Sequence, residues 1–154
     1  MFGFFKNFFG SSTMDSELDA IFSTAMDGLD IKTAMAAHEN WKLRLQAYLE
    51  GRSNEEFLPE VICFDNRCDL GRWIYGKGQA NLGRFAGFTA LLEHHKMFHY
   101  AASNVVSMSQ AGKEAEARKM LDGSFDAFSK AVGKDLEGLH LIVKHSRSRK
   151  GVAA

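Results

Sequence analysis

Apolar side chains recur every three or four residues along most of the 154-residue chain, which is the spacing of one face of an α-helix. The pattern predicts a helix from Asp15 or Ser16 to Gly28, a second from about Asp30 to Gly51, and short helices at Pro59 and over residues 68–75. Two longer helices are predicted at about 79–108 and 113–144. No segment alternates between apolar and polar residues as a half-buried strand does. We therefore predict an all-α protein, an antiparallel helical bundle that resembles a four-helix bundle with an extra N-terminal helix.

The pattern divides the chain into three regions. Residues 15–145 form the predicted bundle, between a Phe-rich segment at 1–14 and a basic tail at 146–154 that we expect to be frayed and solvated. The first ten residues include five phenylalanines, and with a single lysine and no basic cluster among them we expect this segment to contact protein rather than a membrane.

Composition excludes several classes of function. The 19 basic residues balance the 19 acidic ones, so the chain lacks the excess of positive charge that binding to nucleic acid requires. Two cysteines are too few for a disulfide scaffold. No apolar run reaches the length of about 18–20 residues that spans a bilayer. The expected location is the cytoplasm.

Four residues are candidate metal ligands. His95 and His99 lie one helical turn apart on the apolar stripe of the longest predicted helix, and His38 lies on the apolar face of the second helix. Buried imidazoles need polar partners, and Cys68 at the start of a short helix supplies a fourth ligand. Three histidines and one cysteine are a donor set that suits tetrahedral Zn²⁺. His94 should point away from the site, and Cys63 is interpreted as a small buried apolar residue.

A site with four protein ligands has no open position for water or substrate, which argues against a zinc enzyme. One alternative is a hemerythrin-like bundle that carries oxygen on non-haem iron, which needs more ligands and bridging carboxylates. Another is a haem protein with one axial histidine, although no Cys-x-x-Cys-His attachment motif is present. Metal analysis and colour distinguish these alternatives from zinc.

Three short segments carry a resemblance to a known family. They are His-Glu-Asn-Trp at 38–41, Cys-Asp-Leu-Gly-Arg-Trp at 68–73 and His-Lys-Met-Phe-His at 95–99. In this order and at these intervals they resemble the bacterial chemoreceptor zinc-binding (CZB) domain, over roughly residues 18–145. The Cys-x-Leu-Gly-x-Trp segment is the most specific of the three.

The resemblance implies that His38, Cys68, His95 and His99 bind one zinc ion in a helical bundle that forms a homodimer and regulates a chemoreceptor or a diguanylate cyclase. Because no such partner domain is found in this sequence, the output would pass to a separate protein. Oxidation of the zinc-bound thiolate suggests a sensor of zinc or of oxidants such as hypochlorous acid, while a purely structural zinc is the alternative. Asp65 and Asp69 are each interpreted as a solvated loop carboxylate, and the alternative is that one of them accepts from a ligand N–H.

Overall fold

The computed structural model describes residues 12–152, and these residues contain helices and no strand. The prediction of an all-α helical bundle is confirmed. Eight α-helices occur in the described part of the chain: α1 (Ser12–Ala25), α2 (Ile31–Leu49), α3 (Pro59–Ile62), α4 (Asp69–Trp73), α5 (Gln79–Leu82), α6 (Ala86–Gln110), α7 (Glu114–Met120) and α8 (Asp126–Val152). Two π-helical turns, Ile74–Gly78 and Leu121–Phe125, follow α4 and α7.

The ends of α2 follow directly from the local sequence. The Asp30 side chain accepts a hydrogen bond from the Thr33 backbone N–H at 3.0 Å, which satisfies one of the free donors of the first turn. At the other end Gly51 has a φ of 69°, a left-handed conformation that favours glycine and terminates a helix. The predicted limits of this helix are confirmed, and they place His38 in its central part.

Helix α6 runs through the middle of the bundle. It packs against α2, α3, α7 and α8, while α1 packs mainly against α5. The largest fully buried side chains, such as Phe98 on α6 and Phe125 before α8, belong to one continuous core. The metal-ligand candidates on α2 and α6 therefore lie on faces that are already turned towards each other.

The long helices differ from the prediction in detail. The helix predicted at 79–108 is interrupted, because Phe85 adopts an extended backbone conformation (φ −91°, ψ 131°) before α6 begins. The apolar spacing conceals this break, since Leu82, Phe85 and Phe88 are all buried. The helix predicted at 113–144 contains a π-helical turn and continues to Val152, and α1 already begins at Ser12 rather than at Asp15 or Ser16.

Helix α8 thus crosses the boundary predicted at residue 145. The Phe-rich segment predicted at 1–14 lies outside the described residues except for its last three positions. Among residues 12–152, no helix combines the length and the apolar character that crossing a bilayer requires.

Candidate metal centre

Four side chains from three helical elements meet in the interior of the bundle. His38 comes from α2, His95 and His99 come from α6, and Cys68 is the residue immediately before α4. One ligand atom of each lies within 4.8 Å of the others. The structure therefore brings together all four residues predicted from the sequence.

The spacing of these atoms suits a tetrahedral ion. The Nε2 atoms of His95 and His99 are 3.2 Å apart, and Cys68 Sγ lies 3.3 Å from Nε2 of His95 and 3.7 Å from Nε2 of His99. Zn–N bonds near 2.05 Å and a Zn–S bond near 2.3 Å give tetrahedron edges of about 3.3 Å between nitrogens and about 3.6 Å between sulfur and nitrogen. The observed distances are close to these values.

Backbone carbonyls fix the orientation of two imidazoles. Nδ1 of His38 lies 2.8 Å from the Ala34 carbonyl oxygen, and Nδ1 of His99 lies 2.8 Å from that of Ile62. Since a carbonyl oxygen only accepts, each Nδ1 carries the proton and donates. Nε2 of each neutral ring is then unprotonated, and its lone pair faces the cluster, as a metal ligand requires.

Burial keeps all three imidazoles neutral. Desolvation lowers the pKa of His95 to about 2, with further lowering from the neighbouring His99 and His38. The pKa values of His38 and His99 are also lowered, mainly by burial. A neutral imidazole is the form that binds a metal ion.

Cys68 is the least buried of the four candidate ligands, at an intermediate exposure. Its Sγ accepts a hydrogen bond from the Gly71 backbone N–H at 3.3 Å, in the position of a helix N-cap. Burial raises the pKa of the thiol, and the N–H groups of Gly71 and Leu70 oppose that rise only in part. A bound cation would provide the positive charge that stabilises the thiolate.

The cluster fits a cation better than it fits an ordinary polar core. His38 Nε2, the ring nitrogen that faces the cluster, is buried without a hydrogen-bond partner among the described residues, and an unpaired buried polar atom is unfavourable. An ion at the centre would satisfy the inward lone pairs together. No carboxylate belongs to this group, so its donors are nitrogen and sulfur, the set that zinc prefers.

The neighbouring candidates lie elsewhere. His94 Nδ1 contacts Asp135 Oδ2 at 2.7 Å, outside the cluster, as predicted. Neither Asp65 nor Asp69 accepts from the N–H of a candidate ligand: Asp65 accepts from the Tyr75 hydroxyl, and Asp69 pairs with Arg72. Backbone carbonyls take that place instead.

Sequence reasoning missed the ring that covers the site. Phe98 is fully buried, and its ring centroid lies 5.0 Å from that of His38 and 5.5 Å from that of His99. Phe98 lies between His95 and His99 on α6. From the sequence alone, this position cannot be distinguished from that of an ordinary core phenylalanine. Its ring excludes water from one side of the cluster.

Comparison with known families agrees with this geometry. Residues 38–106 match the family model of the chemoreceptor zinc-binding domain, a range that includes all four clustered residues. No curated protein and no solved structure matches the chain. The resemblance found in the sequence is confirmed over this range. Since the matched domain is a zinc-binding domain, zinc as the cofactor is confirmed as well.

Proposed function

We propose that His38, Cys68, His95 and His99 hold one zinc ion and that the protein is a regulatory module rather than an enzyme. The observation that carries this proposal is the convergence of three imidazole nitrogens and one sulfur within 4.8 Å. When bound, the zinc would act as a Lewis acid that stabilises the Cys68 thiolate. Because four protein ligands fill a tetrahedral shell, no position is left for water or substrate, and hydrolytic catalysis is disfavoured.

The ligand that would respond to oxidants is Cys68. It is partly exposed, whereas the three histidines are buried. Its thiolate would attack the chlorine of hypochlorous acid and displace hydroxide, and water would then convert the sulfenyl chloride to a sulfenic acid with release of chloride and a proton. The oxidised sulfur is a weaker ligand, so the four-ligand set would open at the start of α4.

A strap over α6 offers a path by which this change could reach the surface. We define the strap as residues 52–68, which connect α2 to α4. Three α6 side chains donate to its backbone carbonyls: His99 to Ile62 at 2.8 Å, Ser103 to Pro59 at 2.9 Å and Gln110 to Phe57 at 2.8 Å. Since His99 is one of the proposed ligands, metal loss would loosen the strap at its Cys68 end first.

The receiver of the signal would be a separate protein. Following the family resemblance, we infer that the module forms a homodimer in the cytoplasm and acts on a chemoreceptor or a diguanylate cyclase. The alternative is a zinc ion that only stabilises the bundle, which the burial of three ligands would suit equally well. The two differ in whether oxidation of Cys68 releases the ion.

Zinc content in paired variants tests the site. We expect one zinc per chain by mass spectrometry in the wild type, and a large reduction in Cys68→Ala and His99→Ala. Cys63→Ala and His94→Ala are matched controls, because both residues lie outside the cluster, and they should keep the full zinc content. Undiminished zinc in both ligand variants would refute the assignment.

Oxidant treatment tests the sensory role. Hypochlorous acid added to the zinc-loaded protein should release zinc to a chromophoric chelator, in the wild type and in Cys63→Ala alike. Zinc that stays bound after Cys68 has become a sulfenic acid would indicate the purely structural role.

A further inference from the structure

Gly71 lies on the first turn of α4 and is in contact with two parts of the site. Its N–H donates to Cys68 Sγ at 3.3 Å. On its other side a Cβ atom would lie 1.8 Å from the Asp65 carbonyl oxygen and 2.8 Å from the Asp65 carbonyl carbon. Because the obstructing atoms are backbone, no rotation of a side chain could relieve the clash, and only glycine permits this close approach.

Residues 65–67 form the turn that packs against Gly71. Side chains from α4 and from the π-helical turn after it hold this turn in place. The Tyr75 hydroxyl donates to Asp65 Oδ2 at 2.5 Å, and Arg72 Nη1 donates to the Arg67 carbonyl at 2.8 Å. Residues 65–67 are thus pressed onto α4 directly before Cys68. The extended backbone of Cys68 (φ −77°, ψ 164°) continues from this turn and aims Sγ at the histidines.

We propose that Gly71 is a positioning residue for Cys68: its missing side chain allows the 65–67 turn to pack, and that packing sets the place of the sulfur ligand. The inference rests on the proposed function, in which Cys68 binds zinc. A metal site tolerates displacements of about 0.5 Å. A Cβ at residue 71 would push the turn away by at least about 1.2 Å before its contact with the Asp65 carbonyl oxygen reached the 3.0 Å that Cβ atoms require, which exceeds that tolerance.

The test is the zinc affinity of Gly71→Ala, measured by competition with a chromophoric chelator. We expect its Kd for zinc to rise by about 10- to 100-fold, the usual effect of disturbing the support of a metal ligand. The increase in melting temperature that zinc gives the protein should become smaller as well. Gly138→Ala is the matched control, because a Cβ on this helical glycine would meet no atom within 4 Å; its zinc affinity should be unchanged.

A merely structural role gives a different result. In that case Gly71→Ala would lower the melting temperature equally with and without zinc and leave the Kd unchanged, which would overturn the inference. If the wild type itself binds no zinc, the proposed function fails and the inference falls with it. A zinc-binding wild type with an equally tight Gly71→Ala variant refutes the inference alone.

Should Gly71→Ala fail to fold, Tyr75→Phe decides the question. This change removes only the hydroxyl that holds Asp65, on a side chain that is 45% exposed. We expect a Kd several-fold above that of Tyr100→Phe, a similarly exposed tyrosine whose hydroxyl has no hydrogen bond within residues 12–152. Equal affinities of the two tyrosine variants would then overturn the inference.

Discussion

The indole of Trp73, the last residue of α4, connects this helix to α1. Its Nε1–H donates to the carbonyl of Ala25, the last residue of α1, at 2.6 Å. Trp73 is 6% exposed and Ala25 is fully buried. The last carbonyls of a helix have no partner within the helix, so this hydrogen bond satisfies an acceptor that water does not reach.

Trp73→Phe should therefore destabilise the protein by about 2–4 kcal/mol. Loss of the hydrogen bond leaves the buried carbonyl without a partner, which costs about 1–3 kcal/mol. The smaller ring also leaves a void beside Phe88, whose ring centroid lies 6.0 Å from that of Trp73, and this void costs about 1 kcal/mol more. In a domain of this size, the melting temperature should fall by roughly 5–15 °C.

Thermal unfolding followed by circular dichroism, with zinc present throughout, measures this effect. Trp41→Phe is the matched control, because the Trp41 ring packs at a tilt against Phe57 and lies under the Arg44 guanidinium, but its indole N–H has no hydrogen bond in the described part of the chain. We expect that variant to lose only about 1 kcal/mol. Equal losses in the two variants would refute the importance of the hydrogen bond to Ala25.

Two further predictions concern the strap and the contact between α2 and α8. Ser103→Ala removes the hydrogen bond to the Pro59 carbonyl and should accelerate amide exchange of the strap while the zinc content stays unchanged; unaltered exchange by mass spectrometry would contradict this anchor. The Asp126 carboxylate accepts from Lys130 and Lys42, and these bonds lower its pKa below 3.8. The pKa of Asp126 is lower in the folded protein than in the unfolded chain. The stabilisation is therefore complete at neutral pH and is lost as the pH falls through the folded-state pKa. Asp126→Asn should then lose about 0.5–1 kcal/mol at pH 7 and almost nothing in strong acid, in melting curves of the metal-free protein; an equal loss at both pH values would refute it.

Much of the fold follows from sequence periodicity, but the break before α6 does not. Leu82, Phe85 and Phe88 keep helical spacing across the interruption, and all three are buried. The chain turns there while its apolar face stays on the core, so a pattern of apolar positions carries no trace of the turn. The π-helical turn at Leu121–Phe125 escapes notice for a related reason, since Leu121 and Phe125 are both buried and also four residues apart, as in an α-helix.

The ligand candidates were predictable because residue type and helical spacing select them. His95 and His99 share a face by the geometry of the α-helix alone. Their hydrogen-bond partners were not predictable, because the acceptor for His99 is the backbone carbonyl of Ile62. Every residue, proline included, carries a backbone carbonyl that could accept in the same way, so side-chain identity holds no information on which one is used. Asp65 and Asp69, the carboxylates near Cys68 in the sequence, are both engaged elsewhere.

The site consists of a rigid part and a reactive part. The three histidines are buried, and those at positions 38 and 99 are each held by a backbone carbonyl. Cys68 is partly exposed, and its place depends on a turn that packs only because residue 71 is glycine. A reagent from solvent would thus reach the ligand with the most adjustable support. Loss of that ligand would free the Cys68 end of the strap, while His38, which is held by the Ala34 carbonyl within its own helix, would stay in place. Under the proposed function, this division of roles would make Cys68 the ligand at which the site opens.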